Sequence, residues 1–150
     1  MGIKGINRIV VGVPDIDQAI AHYEKLLGAT FERVPDEFCK GFGSRVAISW
    51  DAGIELVAPL QGPASDTIGL LPKRMGFMGI IFDVDDVEDA ARTAEAAGAR
   101  VVRELRLSSE QMNAVFGQSM TTFEEVALDT GDTGIPIVLG EIRRQPVPED

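Results

Sequence analysis

Arg8, with Asn7 before it and Gly12 beyond, interrupts an otherwise apolar, β-branched run from Ile6 to Val13, a pattern that reads as a strand with one buried face. Period-two alternation sends Ile9, Val11 and Val13 to one side and Arg8, Val10 and Gly12 to the other. A second run repeats this, with Ile80, Phe82 and Val84 opposed to Gly79, Ile81 and Asp83. A guanidinium can grip a carboxylate, an enolate or a carbonyl oxygen, and a carboxyl group can move a proton. The other reactive side chains are isolated. His22, the only histidine, lies off the apolar stripe of its helix and reads as a surface residue. Cys39, the only cysteine, has no disulfide partner, and nothing in the sequence sets a base beside it. Asp83, Asp85 and Asp86 could touch a hard cation, but the run lacks the glycine and distal glutamate of a calcium loop. These acids suit the positive end of a helix dipole instead.

The elements that must position these residues come as a repeat. The stretch from Gly5 to Phe31 reads as strand, turn and helix: Pro14 stops the strand, Asp15 with Gln18 forms a capping box, and Gly28 supplies the left-handed stop. Ile16, Ala19, Ile20, Tyr23, Leu26 and Leu27 make one apolar stripe. From Gly79 to Val102 the same grammar returns, with Val84-Asp85-Asp86 aligned on Val13-Pro14-Asp15 and Val87, Ala90, Ala91, Ala94 and Ala97 as the stripe. The predicted strands lie near residues 6–13, 45–50, 53–57, 79–84, 125–128 and 135–142, and the helices near 16–27 and 87–97.

Three regions break the periodicity. Residues 32–44 predict a loose strand and hairpin, residues 58–78 hold three prolines and read as the connection between repeats, and residues 107–123 predict an extra helix capped by Ser108 and Gln111 and stopped by Gly117. Met112, Val115, Phe116, Met120 and Phe123 have approximate helical spacing in that last region, as a contact with the core or with a second subunit, or as a lid over the cup. Trp50 closes an inner strand.

A chain of 150 residues, 45% apolar and 25% charged, can bury a real core. With 14 basic against 24 acidic side chains it is a poor partner for nucleic acid or anionic membrane. No apolar run approaches the ~20 residues of a membrane span, and the first residues have no signal-peptide pattern, so the expected compartment is the cytoplasm.

The paired modules, with VGVPDIDQAIAHYEKLLGA, IELVAPL and KRMGFMGIIFDVDDVEDA, resemble the vicinal oxygen chelate superfamily of glyoxalases, bleomycin-resistance proteins and dioxygenases; the last two phrases look most like its methylmalonyl-CoA epimerase branch. The resemblance implies an α+β fold in one domain of two tandem βαβββ modules forming a cupped mixed sheet, with module one at about 5–60, a linker at about 61–76, module two at about 77–142 and a tail at 143–150. It also implies a homodimer that takes a small molecule inside the cup.

In that superfamily one ligand from each of four strands holds a metal. Here the resemblance puts Arg8, Glu55, Gly79 and Val138 at those positions, so only Glu55 survives as a ligand. The expectation is no metal and no other cofactor. Catalytic candidates are then Glu55 as base and Arg8 as oxyanion partner, with Asp83 as a third. The expected pocket is Val10, Val57, Gly79, Ile81 and Val138, with Met112, Phe116 and Met120 from the extra helix. Arg8 and Glu55 read equally well as a buried ion pair filling the vacated metal space. Two functions follow: a metal-independent isomerase, epimerase or lyase moving a proton beside a carbonyl, slightly favoured, or a protein that sequesters a small molecule without chemistry.

Overall fold

The computed structural model describes residues 2–60, 67–68, 71–72 and 74–146. In chain order the first module holds β1 (Ile3–Gly12), α1 (Ile16–Leu27), β2 (Glu32–Arg33), α2 (Asp36–Cys39), β3 (Ser44–Ser49) and β4 (Ile54–Pro59). A small hairpin, β5 (Thr67–Ile68) and β6 (Leu71–Pro72), follows. The second module holds β7 (Gly76–Val84), α3 (Val87–Ala96), β8 (Arg100–Arg106), α4 (Ser109–Phe116), β9 (Met120–Asp129) and β10 (Ile137–Arg144).

The helices begin and end where local chemistry dictates. Asp15 accepts the Gln18 amide and Gly28 closes α1 at φ 65°, while Asp86 accepts the Asp89 amide to start α3. Ser108 and Gln111 cap α4 reciprocally.

Eight strands form one curled sheet in the order β2-β3-β4-β1-β7-β10-β9-β8. β1 runs parallel to β4 and antiparallel to β7, and β7 runs parallel to β10. The register shows the two-fold relation between modules. Val10 faces Glu55 as Ile81 faces Val138, while Arg8 pairs with Ile81 and Val10 with Gly79. Exchanging the modules maps each pair onto its counterpart, so Arg8 and Gly79 are equivalent positions.

The core divides accordingly. Under α1, Val13, Ile16, Ala47, Leu56 and Ala58 pack together; under α3, Val84, Val87, Val126 and Leu139 do the same. A third cluster, Val10, Val57, Met78, Ile81, Ala127 and Val138, lies on the opposite, concave face. Each fully buried aliphatic side chain, such as Leu56 or Val87, contributes roughly 1.5–3 kcal/mol. Gly12 marks a close crossing: a Cβ there would lie 1.9 Å from the Arg74 carbonyl oxygen.

Several sequence expectations need correction. Residues 32–44 begin with a two-residue strand that pairs antiparallel with β3, but the connection between them is α2 and a 3-10 turn at Lys40–Phe42 rather than a loose loop. β8 was not expected; it is an edge strand in which only Val101 and Leu105 are half-buried, so no alternation announces it, and Arg100–Asp129 and Arg106–Glu124 pairs help to dock it on β9. The extra helix ends at Phe116, and Met120 and Phe123 belong to β9. Trp50 sits in the turn after β3, and β10 continues two residues into the expected tail. The expected linker falls largely outside the described residues. Among the described residues no helix is long and apolar enough to cross a membrane.

Candidate active site

Alternation on β1 turns Arg8 into the concave face, where it is 1% exposed. Its Nε donates to Glu55 Oε2 at 2.6 Å, its Nη2 to Glu125 Oε1 at 2.5 Å and its Nη1 to Asn7 Oδ1 at 2.7 Å. The guanidinium carbon lies 5.4 Å from the Trp50 ring centre and 5.5 Å from that of Phe123, within cation–π range of both. Trp50 is itself fixed by an Nε1–H bond to Glu32 at 3.1 Å.

Electrostatics polarise this cluster. Burial works against the Arg8 charge, but Glu55 and Glu125 together outweigh it and raise its pKa, so the guanidinium stays charged. Burial raises the Glu125 carboxyl above the ordinary range; Arg8 opposes that shift and Glu55 adds to it. Glu55 is the more accessible acid, its side chain 15% exposed against 6% for Glu125.

A cavity of ≈ 190 Å³ opens beside the cluster. The sheet supplies Arg8 and Val10 from β1, Ser44, Val46 and Ile48 from β3, Glu55 and Val57 from β4, Ile81, Leu105, Val138, and Phe123 and Glu125 from β9. Val34, Phe38, Cys39 and Phe42 close it from the β2–β3 connection, and Leu107, Gln111, Val115 and Phe116 from α4 and its approach.

Of the residues proposed from sequence, Arg8, Glu55, Val10, Val57, Ile81, Val138 and Phe116 are therefore gathered at one cavity. Four are not. Gly79 is buried in the ladder opposite Val10. Met112, on α4, and Met120, which begins β9 after the helix has stopped, pack with Ile48 and Phe123 in the core beneath α4. Asp83 lies beyond the cavity; burial raises its pKa, Lys4 opposes this and Asp85 reinforces it. His22 is exposed, edge-on to Tyr23 at 5.5 Å.

Glu125 was missed as a site residue. Period-two alternation from Val126 and Leu128, which face α3, would have turned Glu125 and Ala127 inward, but only tertiary pairing reveals its Arg8 partner. Cys39 reaches the lining through α2, an element the sequence did not show.

The donor set does not fit the superfamily's divalent metal. At the four positions stand a guanidinium, Glu55 already bonded to it, Gly79 and Val138, and among the described residues no group of three His, Cys, Asp or Glu could hold an ion.

A cupped sheet of paired modules with polar groups converging on its concave face defines a class. Residues 5–124 match the family model of the glyoxalase/bleomycin resistance protein/dioxygenase superfamily, and the chain belongs to that superfamily. Within it, the chain is 33% identical over 102 residues to the ethylmalonyl-CoA/methylmalonyl-CoA epimerase of Cereibacter sphaeroides, covering 67% of this chain and 75% of the relative. Its fold is similar to the crystal structure of methylmalonyl-CoA epimerase from Mycobacterium tuberculosis, at TM-score 0.64 and 22% identity, covering 97% and 90% of the two chains. A Streptomyces coelicolor methylmalonyl-CoA epimerase variant in complex with 2-nitronate-propionyl-CoA gives TM-score 0.67 at 20% identity, covering 93% and 98%.

Proposed function

We propose that this chain is a metal-independent proton-transfer enzyme, an epimerase or a related isomerase or lyase, acting beside the carbonyl of a small organic substrate. The observation that carries this reading is the sharing of one guanidinium by two carboxylates at an apolar cavity. Groups whose surroundings differ in this way divide into acid and base. Glu55, the accessible carboxylate, removes the proton; Glu125, whose proton is held more firmly by burial, is placed to return one. Arg8 keeps two of its five N–H groups beyond its three bonds, and its charge stabilises the enolate oxygen in place of a Lewis acid. The epimerase relative supports the chemistry.

The closing of these charges on one another also favours a second reading, a cup that only sequesters a ligand. Glu55→Gln separates the two when melting temperature, ligand affinity and conversion are read together. Catalysis requires a loss of turnover of roughly 10²–10⁴, with affinity held within about an order of magnitude. Conversion should survive chelation, with no stoichiometric metal on elemental analysis. Unchanged conversion of a proven substrate by the variant removes Glu55 as base.

A further inference from the structure

The charges at the cavity close on themselves before any ligand arrives. Among the described residues Arg8 is the only lysine or arginine in the lining, and Glu55 and Glu125 both engage it, at 2.6 and 2.5 Å. The Trp50 and Phe123 rings lie within cation–π range of the same guanidinium. A ligand carboxylate would enter as a third acid beside one cation, against walls such as Val57 and Val138 that offer it no bond.

The covering elements repeat the pattern. α2 carries exposed Asp36 and Glu37 and α4 exposed Glu110, against exposed Lys40 in the turn after α2 and the nearby Arg45, which already reaches Asp36 at 3.5 Å. This is a poor entrance for phosphate groups. The polar group at the other end of β3 is neutral. Ser44 is 1% exposed and lies on the cavity face with Val46 and Ile48. On the ladder it faces Pro59, four positions along from the Ile48–Glu55 pair.

We propose that the cavity selects an uncharged carbonyl compound, carrying neither a carboxylate nor a phosphate-bearing carrier, with the Ser44 hydroxyl available to a neutral oxygen at its far end. The carbonyl rests on the proton-transfer reading; the absence of charge rests on the cavity alone. This departs from the charged thioesters named for the epimerase relatives.

Calorimetry on the full chain with three probes tests it: the neutral N-acetylcysteamine thioester of 2-methyl-3-oxobutanoate, the N-acetylcysteamine thioester of methylmalonate, and methylmalonyl-CoA. The neutral probe should bind at least about tenfold more tightly than either charged one. Equal or tighter binding of a charged probe, or binding of none at millimolar concentration, overturns the proposal. Glu55→Gln relieves Arg8 of its accessible carboxylate, so the charged-to-neutral affinity ratio should rise by about tenfold; an unchanged ratio counts against it. Exchange of the probe's α-proton in D₂O is read separately. Selective binding of the neutral probe without exchange keeps the ligand class and sinks the enzyme, whereas exchange confined to charged probes does the reverse.

Discussion

Arg8 and Glu125 are 117 positions apart in the chain, yet Nη2 of one donates to Oε1 of the other at 2.5 Å. The bond joins the first strand of one module to β9 of the other, across the two-fold relation of the sheet. It exists only because Arg8 stands where Gly79 stands in the second module.

Removing Arg8 tests the cost of that arrangement. Arg8→Met keeps much of the volume but leaves Glu55 and Glu125 with no cation between them, so stability at pH 7 should fall by about 3–5 kcal/mol. Urea unfolding measures it, and the deficit should shrink in acid as the carboxylates take up protons. Adding Glu55→Gln and Glu125→Gln should restore much of the loss. A single variant as stable as the parent would show that the guanidinium contributes nothing net to the fold.

Glu125 predicts a pH dependence of definite sign. Burial is the main cause of its raised folded pKa, so the folded state binds this proton more firmly than the unfolded chain, whose ordinary value is 4.5. The stabilisation is fully present below that value and is lost as pH rises through the folded one. Stability measured for the parent relative to Glu125→Gln should therefore decline from pH 4.5 upward. A relative stability that climbs with pH would mean that Arg8, and not burial, governs this carboxyl.

The repeat and both long helices were legible because their determinants are local. Asp15, Gly28 and Asp86 act within a turn of the residues they cap, and α1 begins and ends where they require. β8 was illegible because its two half-buried residues, Val101 and Leu105, stand among exposed ones and leave no alternation to read, and α2 is too short to build a stripe. At the site, alternation was enough to turn Arg8 inward, whereas Glu55 was placed by family likeness. Glu125 needed both the β9–β10 register and the knowledge that a cation waited across the cup. Met120 misled because helical spacing was continued past Gly117, where φ 66° ends the helix, whereas Met112 lies within α4 but packs into the core cluster beneath it.

Cys39 tests the electrostatics of the same cavity from its opposite wall. The thiol lines the space and is 4% exposed. Burial, and then the charges of Asp36 and Glu55, push its pKa from 9.0 up to about 11. The thiolate is the reactive form, so a two-unit rise leaves about a hundredth of the ordinary thiolate at neutral pH. Iodoacetamide at pH 7.5 should accordingly modify the native protein at least about a hundredfold more slowly than the urea-unfolded chain, by thiolate fraction alone. The native rate should rise about tenfold per pH unit up to pH 10, and a compound that fills the cavity should slow it further. Mass spectrometry of the tryptic peptide gives the rate without interference, since no other cysteine is present. A rate that levels off below pH 9 would mean that a nearby positive charge stabilises the thiolate. Cys39 would then have to be counted among the groups able to attack a ligand.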